Sequence, residues 1–262
     1  HLAQYITKWD ETCDKRLYRL VCYIHCTLHY RMTGWGGDKP TELEPHLFAD
    51  ADFAGCRDSL KSTGGVFLVL MGPNTFLPLT AKSSKHGSVS NSSTEAEVVT
   101  LAIALRVIGI PALDLMEELL GRKVELVIFE DNQATKTIVS TGKFAKAMGH
   151  VKRCHGVQLM TVTERLKDGT CTIEDCHTES MAADIFTKSF PDSKVNIWES
   201  DLKLIRVGDP SSFWEPPASV ESSGGALSNE AAKTADVQPA VILVPVETDQ
   251  VALVSKADKD DD

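Results

Sequence analysis

The stretch Ser92-Ser93-Thr94-Glu95-Ala96-Glu97 opens a helix that limits what the rest of the chain can be. Ser92 and Glu95 stand at capping-box spacing, as do Thr94 and Glu97, so the spacing predicts a helix start here. The helix continues through Val98-Val99-Thr100-Leu101-Ala102-Ile103-Ala104-Leu105-Arg106. At about 3.6 residues per turn, Glu97 shares a stripe with Leu101, Ala104, Leu105 and Ile108. Glu95 lies nearer the mixed line from Val99 to Arg106. A carboxylate at the head of a core-facing stripe is costly to bury unless something positive compensates it. The plain alternative is a first-turn Glu that complements the helix dipole and stays in water. The chain's other carboxylates decide between the two.

Upstream, residues 1–38 read as helical, with Leu17, Leu20, Val21, Ile24 and Leu28 at helical spacing and Arg16, Arg19 and His25 between them. Cys22, His25 and Cys26 have no second ligand pair at zinc spacing, so a reduced structural cluster is expected there. Residues 45–81 read as three strands joined by short turns, an antiparallel meander. In the first, Phe48-Ala49-Asp50-Ala51-Asp52-Phe53 alternates, so Asp50 and Asp52 share a face and the sequence does not separate them. Downstream, a break or kink is expected at Gly109-Ile110-Pro111. A second helix then runs from Ala112 to Leu120 and ends at Gly121. Val124 to Phe129 reads as a strand with Glu130-Asp131-Asn132 at its carboxyl end, and a short helix follows from Gln133 to Val139. Thr170 to Cys176 reads as the last strand, and a helix is expected from His177 through Lys188.

Beyond about Val207 the composition turns to Pro, Ser, Ala and acidic residues, which predicts a disordered tail with an apolar island at Val241 to Val246. The tail also explains the charge. Residues 200–262 hold twelve acidic and five basic side chains, leaving 22 basic and 25 acidic in residues 1–199. The part expected to fold is near neutral, so a net charge of −10 does not exclude nucleic acid. Lys143 to Lys167 is the basic stretch, read either as a phosphate-binding surface or as a solvated helix face. No run of about 18 apolar residues and no basic-then-apolar leader occurs, so a soluble, non-secreted protein is expected. Seven scattered cysteines without a CxxC pair fit reduced thiols and an intracellular site. A chain opening on His1 is expected to be a processed product or a fragment.

The order of elements predicts an α/β chain with a mixed sheet and helices on both faces. In such sheets, sites form at strand ends and adjoining helix starts. Asp50, Glu97, Asp131 and Asp184 all fall at such stations. Carboxylates of this number suit two divalent cations roughly 4 Å apart, a pair that serves in-line phosphoryl displacement.

Five blocks carry a resemblance: Phe48 to Gly55, Lys61-Ser62-Thr63-Gly64-Gly65, Ser92 to Glu97, Glu130-Asp131-Asn132-Gln133-Ala134, and Ala183-Asp184-Ile185-Phe186-Thr187-Lys188. Together they resemble the ribonuclease H domain that ends a copia-type retrotransposon polyprotein. The resemblance covers about residues 45–192 and implies a ribonuclease H-like five-stranded sheet. Residues 1–40 resemble the connection to reverse transcriptase, and the tail 207–262 resembles nothing nameable. Carried over, the resemblance makes Asp50, Glu97, Asp131 and Asp184 the catalytic metal ligands, with Asp52 and Glu95 in second rank. Glu97-Val98-Val99 matches the family's Glu-apolar-apolar pattern. His177, seven residues before Asp184, stands where some ribonucleases H carry a mobile product-release His; the other reading is a helix-cap neighbour. Departures are Phe53 for a frequent Trp, Cys56 for a frequent Asp, and Met148-Gly149-His150-Val151-Lys152 for the usual Lys-His-Ile-Asp.

The implied reaction is hydrolysis of the RNA strand of an RNA–DNA hybrid, with two Mg²⁺ ions that Mn²⁺ can replace. The implied partners are the hybrid and the reverse transcriptase portion of the same polyprotein, with no membrane. The implied location is the cytoplasm, a virus-like particle or the nucleus. Lys143, Lys146, His150, Lys152 and Arg153 are the expected phosphate contacts, with binding that weakens as salt rises. Two other classes compete. One is a decayed or domesticated copy that binds nucleic acid without cutting it. The other is an integrase or transposase of the same superfold using Asp50, Asp131 and Glu164. A polymerase is not expected, because no Tyr-x-Asp-Asp stretch appears.

Overall fold

The structure is a computed structural model that describes residues 2–26, 30–56, 59–143, 159–188 and 204–206. The tail beyond 206, the stretch 144–158 and residues 189–203 lie outside the described residues. A 3₁₀ turn, Leu2–Lys8, precedes helix α1, Glu11–Cys26. In α1 only Cys13 is buried, and Leu17, Leu20, Val21 and Ile24 stay exposed. The segment expected to be helical also contains strand β1, Tyr30–Met32, which pairs antiparallel with β7, Leu204–Arg206.

The main sheet is mixed and five-stranded. Strands β2, Glu44–Asp52, β3, Thr63–Gly72, and β4, Thr75–Lys85, form the antiparallel meander. Strands β5, Leu126–Glu130, and β6, Cys171–Asp175, join parallel to β2, giving the order β4-β3-β2-β5-β6. This is the mixed sheet that the order of elements predicts, with the five strands that the resemblance implies. Trp35 exchanges two backbone hydrogen bonds with Phe76, and the Asp38 carboxylate accepts from the Asn74 backbone at 2.6 Å, so residues 35–38 are tied to the β3–β4 hairpin.

Strand alternation sends two sets of side chains to opposite faces. Leu47, Ala49, Val66, Leu68 and Leu70 pack under the helices of the first face. There α2, Ser93–Ala104, a π-helical turn, Leu105–Gly109, and α3, Ile110–Leu120, run on as one helical segment. The kink expected near Pro111 is this widened turn. Proline removes one ladder hydrogen bond, and a π turn absorbs the mismatch without ending the helix. At the far end Gly121 takes the left-handed conformation (φ 64°) that closes helices. Ser93–Leu120 is long enough to cross a membrane and holds an 18-residue window of mean hydropathy 2.0, yet here it is the core helix laid against the sheet. Helices α4, Gln133–Thr141, and α5, 159–167, complete this side with Ile138, Val139, Leu159 and Val162 in the core.

The second face carries Phe48, Phe67, Val69 and Phe76, with Ala182, Ile185 and Phe186 packed on them. Rings of Phe48 and Phe129 stack 4.7 Å apart, and Phe186 lies 6.1 Å from Phe67. The segment expected to be a helix from His177 is instead two 3₁₀ turns, Thr178–Ser180 and Ala182–Phe186. Met181 between them sits at φ −77°, ψ 87°, outside the helical region, with its side chain 1% exposed. Burial of that one apolar side chain breaks the helix.

Candidate active site

The parallel strands β2 and β5 end at the same edge of the sheet. Phe48 is level with Phe129, so two residues on, Asp50 comes level with Asp131. Asn132 caps α4, its side-chain oxygen accepting from the Ala134 and Thr135 amides at 3.0 and 3.1 Å. Asp131 is thus pinned between a strand end and a helix cap, and the Thr178 hydroxyl donates to it at 3.2 Å. Helix α2 brings Glu97 to the same edge from the first face. Its start is fixed by Ser92, whose hydroxyl accepts from the Glu95 amide at 3.1 Å. From the second face, the turn Ala182–Phe186 brings Asp184 over Asp50.

Gly65 makes that approach possible. It pairs with Asp50 across β2–β3 and so shares its face. A Cβ at Gly65 would lie 2.6 Å from the Ala183 carbonyl oxygen and 2.6 Å from Thr187 Cγ2. The turn sits where any side chain would have been. Thr187 then donates a short hydrogen bond to Asp50, and Lys188 Nζ lies 3.3 Å from Asp50 Oδ1 and 2.7 Å from Asp184 Oδ1.

Several acids share this edge with one ammonium. Burial, reinforced by the carboxylates of Asp50, Glu130 and Asp131, pushes Glu97 up to about 10, with Lys188 pulling the other way. Burial likewise pushes Asp184 up to about 6 against the pull of Lys188, and the Asp50 carboxylate raises it further. The Glu97 carboxylate is therefore at the head of the core-facing stripe, and it is 7% exposed. One of its oxygens, Oε2, has no hydrogen-bond partner among the described residues.

Glu95 and Glu97 part company in the structure. Glu95 is buried, but its Oε2 accepts from the Asn91 backbone amide at 2.8 Å and from the Asn91 side chain. It holds the loop in front of the helix. Asp50 and Asp52 also separate. Asp50 is 1% exposed among Thr187, Lys188 and Asp184, while Asp52 is half-buried at the rim under the turn at Gly55. Burial raises Asp52, with Lys188 opposing. His177 is exposed, and its Nδ1 accepts from the Glu179 amide at 3.3 Å as the cap of the Thr178–Ser180 turn. Lys143 is exposed; Lys146, His150, Lys152 and Arg153 lie outside the described residues. Glu164 is exposed on α5, which gives the integrase-type triad no support.

Sequence reasoning missed Glu130 and Lys188. Glu130 is fully buried, its Oε1 accepts from the Asn132 amide at 3.2 Å, and its Oε2 has no partner among the described residues. Burial first, then the Asp131 and Asp50 carboxylates, push it up to about 8. The available signals were the two consecutive acids closing an apolar strand and a lysine four residues after Asp184. Among the described residues, no three His, Cys, Asp or Glu side chains are gathered closely enough to hold a metal ion as they stand. The carboxylates are neighbours, with Lys188 between two of them.

A folded-state pKa raised from 4.5 to about 8 means that Glu130 favours folding when protonated. That contribution is complete below the unfolded value and is lost as pH rises toward 8. At about 1.36 kcal/mol per unit, charging Glu130 costs a few kcal/mol. Glu130→Gln is expected to raise the melting temperature of chelator-treated protein at pH 8 by about 5 °C, and by much less at pH 5. Thermal unfolding followed by circular dichroism at the two pH values checks this. An equal or lower midpoint for the variant at pH 8 would contradict it.

No protein-family model matches the chain. A curated relative does: the retrovirus-related Pol polyprotein from transposon RE1 of Arabidopsis thaliana is 25% identical over 206 residues. The similarity takes in 79% of this chain but only 13% of that polyprotein's length. Among solved structures, RNase H1 of the halophilic archaeon Halobacterium salinarum NRC-1 superimposes with a TM-score of 0.38 and 14% identity, over 55% of this chain and 94% of that one. A foamy viral protease-reverse transcriptase in complex with RNA/DNA hybrid gives a TM-score of 0.35 and 18% identity, over 71% and 20%.

Proposed function

We propose that this Pol-related chain is a metal-dependent endonuclease that hydrolyses the RNA strand of RNA–DNA hybrids during reverse transcription of a retrotransposon. The observation that carries the reading is one sheet edge where Asp50 and Asp184 share the Lys188 ammonium and the buried Glu97 and Glu130 feel the charges of Asp50 and Asp131. Buried acids are retained at such cost where a site needs perturbed groups more often than where a fold needs stability.

Two features support Mg²⁺ as the partner of these acids. The donors are hard carboxylate oxygens, the ligand type Mg²⁺ takes. Glu97 Oε2 and Glu130 Oε2 are buried oxygens without a hydrogen-bond donor among the described residues, so a cation would satisfy them. Asp50, Glu97, Asp131 and Asp184 would hold the ions, with Asp52 at the rim. Bound there, divalent cations would supply an activated water and charge neutralisation at the scissile phosphate. The chain's own contribution is orientation. Thr187 fixes the Asp50 carboxylate, Thr178 fixes Asp131, and Asn132 fixes the strand end that carries it. Lys143, and the basic residues that follow it, would contact phosphates, and the 2′-hydroxyls would mark the RNA strand. The reverse transcriptase portion of the polyprotein would help to grip the hybrid.

The test is cleavage of an end-labelled RNA–DNA hybrid by the full chain with Mg²⁺ or Mn²⁺. Cleavage of the RNA strand is expected, leaving 3′-hydroxyl and 5′-phosphate ends, with single-stranded RNA and duplex DNA left intact. Hybrid bound but uncut with either ion would overturn the nuclease reading. It would favour a catalytically decayed, nucleic-acid-binding domain, which the ungathered carboxylates and the Lys188 ion pair also fit.

A further inference from the structure

We infer that Lys188 is a resident cation of the carboxylate centre, a positioning residue that holds Asp50 and Asp184 together and is exchanged for a divalent ion when one binds. The inference rests on the nuclease reading and adds to it the way in which the site is loaded.

The geometry is that of a cation shared between two ligands. Lys188 Nζ lies 2.7 Å from Asp184 Oδ1 and 3.3 Å from Asp50 Oδ1. Those carboxylates are almost closed off, at 12% and 2% side-chain exposure, while the lysine keeps 39% and so enters from the solvent side. Asp52 and Glu97 also feel its charge. Among the described residues one ammonium faces these acids, and Glu97 Oε2 and Glu130 Oε2 have no hydrogen-bond partner there. The centre thus keeps buried carboxyl oxygens that Lys188 does not reach.

Mg²⁺ takes its oxygens at about 2.0–2.1 Å and with near-octahedral geometry. It cannot take the facing oxygens of Asp50 and Asp184 while an ammonium sits between them, because the two cations would repel at contact distance. The side chain can leave without unfolding its support. Its stem is long and flexible, and its backbone amide stays bonded to the Asp184 carbonyl at 2.9 Å. Thr187, held to Asp50 and to the Asp184 carbonyl, keeps the turn in register meanwhile.

Mn²⁺ binding by the full chain, measured by calorimetry or by the spin-resonance signal of the free ion, tests this on wild type, Lys188→Gln and Lys188→Arg. Removing the charge is expected to tighten Mn²⁺ binding about tenfold, and the arginine variant to stay near wild type. Lysine labelling of wild type by an amine-reactive reagent, read by peptide mass spectrometry, is expected to rise several-fold at Lys188 when Mg²⁺ is added. That arm decides the matter even where a variant does not fold. Equal or weaker Mn²⁺ binding by a folded Lys188→Gln variant, or labelling that is unchanged or lower with Mg²⁺, overturns the exchange while leaving the nuclease reading standing. Failure of any form to bind Mn²⁺ at millimolar concentration overturns both.

Discussion

Replacing Asp131 with Asn is expected to cut hybrid cleavage by roughly 10³-fold with little change in stability, since a metal-held charge is worth several kcal/mol to the transition state and about 1.4 kcal/mol is tenfold in rate. Of the acids at the sheet edge, Asp131 gives the cleanest test. It is half-buried, whereas Asp50 and Glu130 are fully buried and their neutral variants would alter folding as well. Its position comes from the backbone of the β5 end and from the Asn132 cap, neither of which uses its own side chain. Asparagine keeps an oxygen for the Thr178 hydroxyl and keeps the volume. What it removes is the negative charge that a divalent ion needs. Cleavage rate and melting temperature, taken on the same preparation, decide the outcome. Wild-type cleavage by Asp131→Asn would refute the site assignment. A melting temperature many degrees lower would turn Asp131 into a structural residue.

Much of this arrangement is legible in the amino-acid sequence. The alternation around Asp50, the cap at Ser92 and the apolar stripe led by Glu97 are local patterns. Local hydrogen bonding and side-chain period produce them directly. The order of the strands is not readable this way, because a period-2 pattern gives a buried face and no neighbour. The second-rank acids show the same limit. Asp50 and Asp52 share a face, and only the turn at Gly55 and the arrival of Thr187 and Lys188, 137 and 138 residues away, tell them apart. Glu95 falls on a mixed helical line, yet the Asn91 loop folds over it and buries it. The helix expected through His177–Lys188 fails for a related reason. Burial of Met181 against the core outweighs the helical preference of a short segment. Glu130 is hidden because an acid at the end of an apolar strand reads as exposed, whereas here it is fully buried and its Oε1 accepts from the Asn132 amide.

Gly65→Ala tests whether the second-face turn is what completes the site, and its expected effect is a loss of cleavage of roughly 10²-fold, the cost of misplacing a catalytic group by about 1 Å. One methyl group is enough because of what it meets. Its nearest contact would be the Ala183 carbonyl oxygen at 2.6 Å, a backbone atom that moves only if the whole turn moves. Thr187 Cγ2 at 2.6 Å and Phe186 Cβ at 3.1 Å close the other sides. The turn is not free to shift without loss, since Phe186 is packed against Phe67 and Met181, just before the turn, is buried. Overpacking of this kind costs about 1–3 kcal/mol. The strain is relieved by lifting residues 182–188, which takes Asp184 and Lys188 away from Asp50 together. Amide hydrogen exchange over 182–188 should therefore quicken in the variant, while exchange in β2 and β3 stays slow. Glycine's freedom of backbone conformation is not the issue here, because Gly65 has an ordinary strand conformation within the β2–β3 ladder. The missing side chain is. Full cleavage with unchanged exchange in Gly65→Ala would mean that the turn has room to spare, and that Asp184 reaches the other carboxylates by some route other than this close approach.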